Sequence, residues 1–178
     1  IVSKWCIDHN LSFIGLPRYV GFGLHNYGGR KYRFLVMDRF GDDLQSKIMS
    51  CKIINSLSMR LTLWNTYTNM SIHADIKASN LLSSLYVLAD FGLSYRYTAN
   101  GVHTKYTPKP KKCHSGTIEF TSRDAHVGAD PSRRGDFEIL VFGLIRWLCG
   151  FLPWDAVTSD VSSVAKLKDE YHRNIIII

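Results

Sequence analysis

The sequence predicts an α+β fold weighted toward helix, and three observations carry that expectation. Near the start, Tyr19 to Phe22 and Tyr32 to Met37 are short apolar or aromatic runs around a Gly-containing stretch, the composition of a β-hairpin. Apolar residues recur at helical spacing over 53–70, after Ser132, and from Val161, as in helices that bury a face. Between Ser94 and about Ser132 the chain carries Gly, Pro, Lys, Thr and Ser without a sustained period. That stretch reads as a long structured loop, and loops of such length inside a domain are usually functional. A length of 178 residues with 46% hydrophobic and 21% charged composition suits one globular domain.

Taken in order, the first hairpin is expected to turn through His25-Asn26-Tyr27-Gly28-Gly29-Arg30. Gly21-Phe22-Gly23 opens a partial G-x-G-x-x-G, but Asn26 stands at its third position and no helix follows, so a bend ending a strand is the better reading. The helix over 53–70 rests on Ile54, Leu57, Met59, Leu61, Leu63 and Trp64 and stops before His73. Leu81-Leu82 and Tyr86 to Ala89 read as two very short strands joined at Ser83-Ser84. The helix after Pro131-Ser132 carries Leu140, Phe142, Leu144, Ile145 and Leu148 and ends at Gly150 and Pro153. Its apolar residues nearly encircle it, which predicts burial all round. A last helix is expected between Val161 and His172.

The stretch with the most chemistry is His73-Ala74-Asp75-Ile76-Lys77-Ala78-Ser79-Asn80, with Asp90-Phe91-Gly92 beyond the short hairpin. Asp, Lys and Asn at relative positions 0, 2 and 5, then D-F-G, match the catalytic loop and metal motif of protein kinases. Phosphoryl transfer needs a hydroxyl aimed in line at the γ-phosphorus, and a carboxylate such as Asp75 can orient it and accept its proton. Mg²⁺ prefers hard oxygen ligands, which Asn80 and Asp90 can supply. An ammonium two residues past the base can reach the transferring phosphate, the role open to Lys77. Either half of the pattern alone is a solvated loop or a turn signal; both in order, with a helix before and a hairpin between, argue for a protein-kinase fold.

Other features count against rival functions. Cys6, Cys51, Cys113 and Cys149 are scattered without C-x-x-C spacing, which argues against a zinc knuckle or a disulfide framework and for reduced, intracellular thiols. No membrane span or secretory signal is read, so the expected setting is intracellular, nuclear or cytoplasmic, with no membrane partner. The net charge is +7, partly from a proline-interleaved loop carrying Lys105, Lys109, Lys111 and Lys112. With no nucleic-acid-reading motif beside it, this loop reads as solvated, and nucleic acid is not an expected direct ligand. His9, His25, His103, His114, His126 and His172 lack the spacing of a metal cluster and read as loop or packing residues.

A longer string carries a more specific likeness. The run from Asp75 to Leu82 is followed by Tyr95-Arg96-Tyr97, Gly101-Val102-His103 and Cys113-His114. Then come Gly116-Thr117-Ile118-Glu119-Phe120-Thr121-Ser122, Asp124-Ala125-His126, Ser132-Arg133-Arg134-Gly135-Asp136 and Leu152-Pro153-Trp154. This resembles the vaccinia-related kinase family, in the casein-kinase-like branch of the protein kinases. That branch lacks the A-P-E triplet after the activation segment, and so does this sequence. The resemblance implies transfer of the ATP γ-phosphate to protein serine or threonine, with ATP and Mg²⁺ as cofactors and a protein as partner. It also implies Met37 as gatekeeper, with the backbone from Asp38 to Phe40 meeting adenine. Thr117 would bridge Asp75 and Lys77, and Asp136 would hold the backbone of the catalytic loop, with His73 as further support. Asp136 read on its own is a carboxylate favoured at a helix N-terminus, and the two roles are compatible.

The resemblance further implies a division in which residues 1–38 are a remnant of the N-terminal lobe and 39–178 are the hinge and C-terminal lobe, without that lobe's last helices. No glutamate precedes Glu119, and the lysines before the hinge are Lys4 and Lys31, so the lysine–glutamate pair that kinases use to hold phosphates is not supplied. The expectation is an incomplete kinase whose isolated chain is not catalytically competent. The rival expectation is a pseudokinase or kinase-like binding module. Asp90 follows Asn80 by only ten positions, so the hairpin between them is the feature whose formation decides whether they can share one ion. Ala74 stands where many kinases carry arginine and the family usually carries glycine, so an arginine grip on a phosphorylated loop is not expected.

Overall fold

The computed structural model describes residues 17–48, 71–82, 87–99, 101–109 and 116–175. The helix expected over 53–70, the turn at Ser83-Ser84, and Lys111, Lys112, Cys113 and His114 lie outside the described residues, as do Cys6, His9 and Cys51.

The first hairpin pairs β1 (Tyr19–Tyr27) antiparallel with β2 (Arg30–Met37). Its turn is tighter than expected, because His25, Asn26 and Tyr27 extend the strand and only Gly28 and Gly29 make the bend. Their φ values of 55° and 75° form the two-residue turn whose twist matches paired strands and which side chains disfavour. Gly21-Phe22-Gly23 lies inside β1 and does not end it; the register slips between Tyr19 and Gly21, which is where a glycine accommodates a bulge. A short helix, α1 (Leu44–Ile48), follows, with the Asp43 carboxylate accepting from the Ser46 amide at 2.9 Å.

Small paired strands follow, and some of them lie inside the stretch expected as a long loop. β3 (Ser71–Ile72) pairs with β6 (Tyr95–Arg96), β4 (Leu81–Leu82) with β5 (Val87–Leu88), and β7 (Thr98–Ala99) with β8 (Val102–His103), all antiparallel. A one-turn helix, α2 (Arg123–His126), is capped by the Ser122 hydroxyl. Two-residue strands give no period-2 signal, which is why the sequence reads as a loop over β6, β7 and β8, whereas β4 and β5 stand where two very short strands are expected.

Two longer helices complete the chain. The first, α3 (Arg133–Cys149), starts on Ser132, whose hydroxyl accepts from the Gly135 amide at 3.0 Å, and ends at Gly150; a hydroxyl at the N-cap and glycine past the last turn are the standard end signals. Burial is confined to one face: Ile139 and Leu140 are inside, whereas Phe137, Val141 and Leu148 are exposed, which corrects the expectation of burial all round. The second, α4 (Val161–Ile175), follows Asp160, which accepts from the Ser162 amide and the Ser162 and Ser163 hydroxyls. Those donors hold its carboxyl down at about 2.

Burying the α3 face creates one apolar core, in which Ile139 and Leu140 meet Ile72, Ile76, Leu81 and Leu88. Leu152, Trp154 and Val164 form another, joined by Phe142 and Ile145 from the same helix. Phe120 packs against both. Among the described residues, no helix is long and apolar enough to cross a membrane.

Candidate active site

The segment from His73 to Asn80 connects β3 to β4, and a carboxylate from α3 holds it from beneath. Asp136, 1% exposed, accepts from the His73 amide at 2.7 Å and the Ala74 amide at 2.8 Å. Burial pushes its carboxyl up to about 6, against the downward pull of the two amides. Ala74 adopts φ 68°, a left-handed conformation that disfavours residues with a Cβ, and the double grip of Asp136 straddles it. His73 is fully buried. Its Nε2 lies 2.9 Å from the Ala89 carbonyl and its Nδ1 3.3 Å from the Asp75 amide. Only the neutral tautomer with the proton on Nε2 satisfies both contacts, and burial lowers its pKa against the pull of the Ala89 carbonyl.

Above this base, the structure brings Asp75, Lys77 and Thr117 into one triangle. The Lys77 ammonium is 2.7 Å from Asp75 Oδ2 and donates to Thr117 Oγ1 at 2.8 Å. The Thr117 hydroxyl donates to Asp75 Oδ1 at 2.8 Å, and the Thr117 amide donates to the same oxygen at 3.2 Å. Burial opposes the charge on Asp75, but the donors from Lys77 and Thr117 outweigh it and hold the carboxyl below its ordinary range. Thr117 reaches this position because the chain passes close at Gly116, φ 102°, where an added Cβ would lie 3.2 Å from the Ala74 carbonyl.

The short hairpin does form. Leu81 pairs with Leu88 and Leu82 with Val87, and the Ala89 amide donates to the Asn80 carbonyl at 2.8 Å. The ladder therefore sets the backbones of Asn80 and Asp90 beside one another despite the short separation. Asn80 is buried and uses Nδ2 toward Asp75, at 2.9 Å from the carbonyl and 3.4 Å from Oδ2, so its Oδ1 is not engaged by these bonds. Asp90 takes φ 60° and accepts the Gly92 amide on Oδ1 at 3.2 Å, leaving Oδ2 outside that bond. One amide and one carboxylate oxygen suit a hard cation that keeps water or phosphate in its remaining positions. Among the described residues, no group of three or more His, Cys, Asp or Glu could hold a metal. Phe91 meets His73 edge-on with ring centroids 4.7 Å apart.

The expected adenine-contacting residues lie where β2 ends. Met37 is its last residue, Asp38 pairs with Arg18 at 3.0 Å, and Phe40 is half-buried. Lys168 was not singled out from the sequence: it is 1% exposed and donates to the carbonyls of Ile118 and Thr121. The available signal was its place in α4, four residues past Val164 and seven past Val161, on the apolar stripe.

A loop pinned by a helix carboxylate, an Asp–Lys–Thr triangle on it and a D-F-G turn returning beside it define a protein-kinase fold, chiefly its helical lobe. A solved structure of vaccinia related kinase 3 matches with a TM-score of 0.82 and 32% identity, over 96% of this chain and 56% of that one. The human serine/threonine-protein kinase VRK2 is 43% identical over 94% of this chain, and the B1 kinase of vaccinia virus (strain Western Reserve) is 36% identical over 98% of it. A probable serine/threonine-protein kinase of fowlpox virus, FPV212, is 37% identical over 98% of the chain. No protein-family model matches. Over nearly all of its length the chain is homologous to the vaccinia-related kinases and their poxvirus counterparts. It spans 35% of the human protein's length and 61% and 63% of the fowlpox and vaccinia proteins' lengths.

Proposed function

We propose that the protein is a serine/threonine kinase that transfers the ATP γ-phosphate to a hydroxyl of a protein substrate. The observation that carries the reading is the Asp75–Lys77–Thr117 triangle, with the Lys77 ammonium 2.7 Å from the Asp75 carboxylate and 2.8 Å from the Thr117 hydroxyl. An ionised Asp75 orients the substrate hydroxyl and takes its proton as the new oxygen–phosphorus bond forms and the bond to the bridging β–γ oxygen breaks, releasing ADP. Lys77 offsets charge on the moving phosphoryl group. Asn80 and Asp90 would hold Mg²⁺, which supplies charge neutralisation at the phosphates. The backbone from Asp38 to Phe40, beside Met37, meets adenine. Thr117, Asp136 and His73 support the site.

In this reading residues 1–38 belong to the N-terminal lobe and 39–178 to the hinge and C-terminal lobe, and the setting is nuclear or cytoplasmic. Because no glutamate precedes Glu119, the 178 residues alone are expected not to turn over ATP. The second reading is a kinase-like binding module, which would keep the fold and the loop without transferring phosphate. Phosphate transfer by the full-length protein, measured against its Asp75→Ala variant with Mg-ATP and a Ser/Thr-containing protein, separates the two. The kinase reading expects a loss of about a thousandfold or more in kcat for the variant; equal inactivity of both proteins would favour the binding module.

A further inference from the structure

The turn from Thr117 to Thr121 is fastened carbonyl by carbonyl. The Thr117 carbonyl accepts the amides of Phe120 at 2.9 Å and Thr121 at 2.8 Å, and the Thr121 hydroxyl at 2.9 Å. The Glu119 carbonyl accepts Trp154 Nε1 at 2.9 Å. The carbonyls of Ile118 and Thr121 accept the Lys168 ammonium at 2.8 and 2.7 Å. Lys168 sits over the faces of Phe142 and Trp154, 5.1 and 5.2 Å from their centroids, with His126 Nε2 at 3.3 Å.

An ammonium in such a place is a costly way to fill space. A methionine of similar length would pack between Val164, Phe142 and Trp154 without desolvating a charge, and burying an ammonium is offset only where its donors meet hydrogen-bond acceptors. Here burial lowers the Lys168 pKa to about 7, while Ile118 and Thr121, whose carbonyls it meets, lie outside any helix or strand. What the lysine secures beyond packing is the shape of a turn whose first residue faces the catalytic triangle.

We infer that Lys168 is a positioning residue: from α4 it fixes the Thr117–Thr121 turn, and thereby presents the Thr117 hydroxyl and amide to Asp75 and Lys77. Trp154 holds the middle of the same turn. The consequence for rate rests on the kinase reading; the coupling of α4 to Thr117 does not.

The test uses the full-length protein and its Lys168→Met variant. Amide hydrogen exchange, read per residue, is expected to be about tenfold faster at Thr117, Phe120 and Thr121 in the variant, with the His73 amide unchanged. Unchanged exchange at Thr117 overturns the proposal. In turnover assays well below the variant's melting temperature, kcat is expected to fall about tenfold with the KM for ATP unchanged, and the loss to shrink below about threefold in a Thr117→Ala background. The same fold-loss in both backgrounds would mark Lys168 as a packing residue and overturn its positioning role. If the native protein transfers no phosphate, the kinase reading fails while the exchange result still decides the coupling. Should Lys168→Met not fold, Trp154→Phe removes the donor to Glu119 while keeping an aromatic ring beside Lys168, and faster exchange at Thr117 in that variant supports the clamp, whereas native exchange overturns it.

Discussion

Between His73 and Asn80 the chain has almost no regular structure, yet most of its side chains are buried and its bonds run largely to residues far along the sequence. Between Tyr19 and Met37 the reverse holds: nearly every residue is in a paired strand, yet Tyr19, Phe22, Leu24 and Tyr27 are each more than half exposed. The loop owes its shape to satisfied buried polar groups, the hairpin to a ladder and a two-glycine turn. Shape held by buried polar partners fails when one partner is removed, because the other keeps its desolvation cost. Shape held by a local ladder tolerates changes at exposed positions and fails at its turn.

The contrast gives a series of expected outcomes. The largest is for Asp136→Ala, which strands the His73 and Ala74 amides; the unfolding free energy in urea is expected to fall by about 3 kcal/mol. A loss below about 1 kcal/mol would break the comparison. Next, at the turn, Gly28→Ala with Gly29→Ala places side chains at positive φ, which costs roughly 1–2 kcal/mol per residue. That cost is expected as faster amide exchange confined to the hairpin, with native exchange at His73.

A pH titration probes the loop alone. Because burial lowers the His73 pKa from 6.5, its contribution to stability is fully present above pH 6.5 and is lost as pH falls through the folded value. The ring is expected to titrate below 6.5 by NMR, and a midpoint above that would contradict the neutral tautomer. Asp136 acts oppositely: its carboxyl is pushed up to about 6, so its own contribution grows as pH falls from about 6 toward 4. The smallest effect is for Phe22→Ser, 79% exposed in the native chain, where a stability change within about 0.5 kcal/mol is expected.

Much of the loop's chemistry was legible beforehand, because Asp75, Lys77, Asn80 and Asp90 lie close in sequence at fixed spacing, and Thr117 and Asp136 followed from the family likeness. The ends of α3 were legible too, from Ser132 and Gly150. What was hidden depends on partners distant in sequence. The pairing of Ser71 with Arg96 leaves no pattern in either dipeptide. The bare side of α3, with Phe137 and Leu148 exposed, cannot be told from a buried one by composition. Lys168 looks like any surface lysine until Ile118 and Thr121 are placed beside it. Gly21-Phe22-Gly23 misled in another way, since glycine permits a bulge within a strand as readily as a bend at its end.

Ala74 and Asp90 are the non-glycine residues at positive φ among those described. Left-handed backbone costs such residues roughly 1–2 kcal/mol each, and the Ala74 bend is held by a carboxylate 62 positions further on. While the polypeptide is still being synthesised, that carboxylate is absent, and closure over such a span goes unrewarded until it arrives. Ribosome-stalled chains ending before Arg133 are therefore expected to leave the His73 and Ala74 amides open to exchange, and chains ending beyond Gly150 to begin protecting them. While synthesis runs from Gly92 to Gly150, the nascent protein would carry its motif complete and its site unassembled.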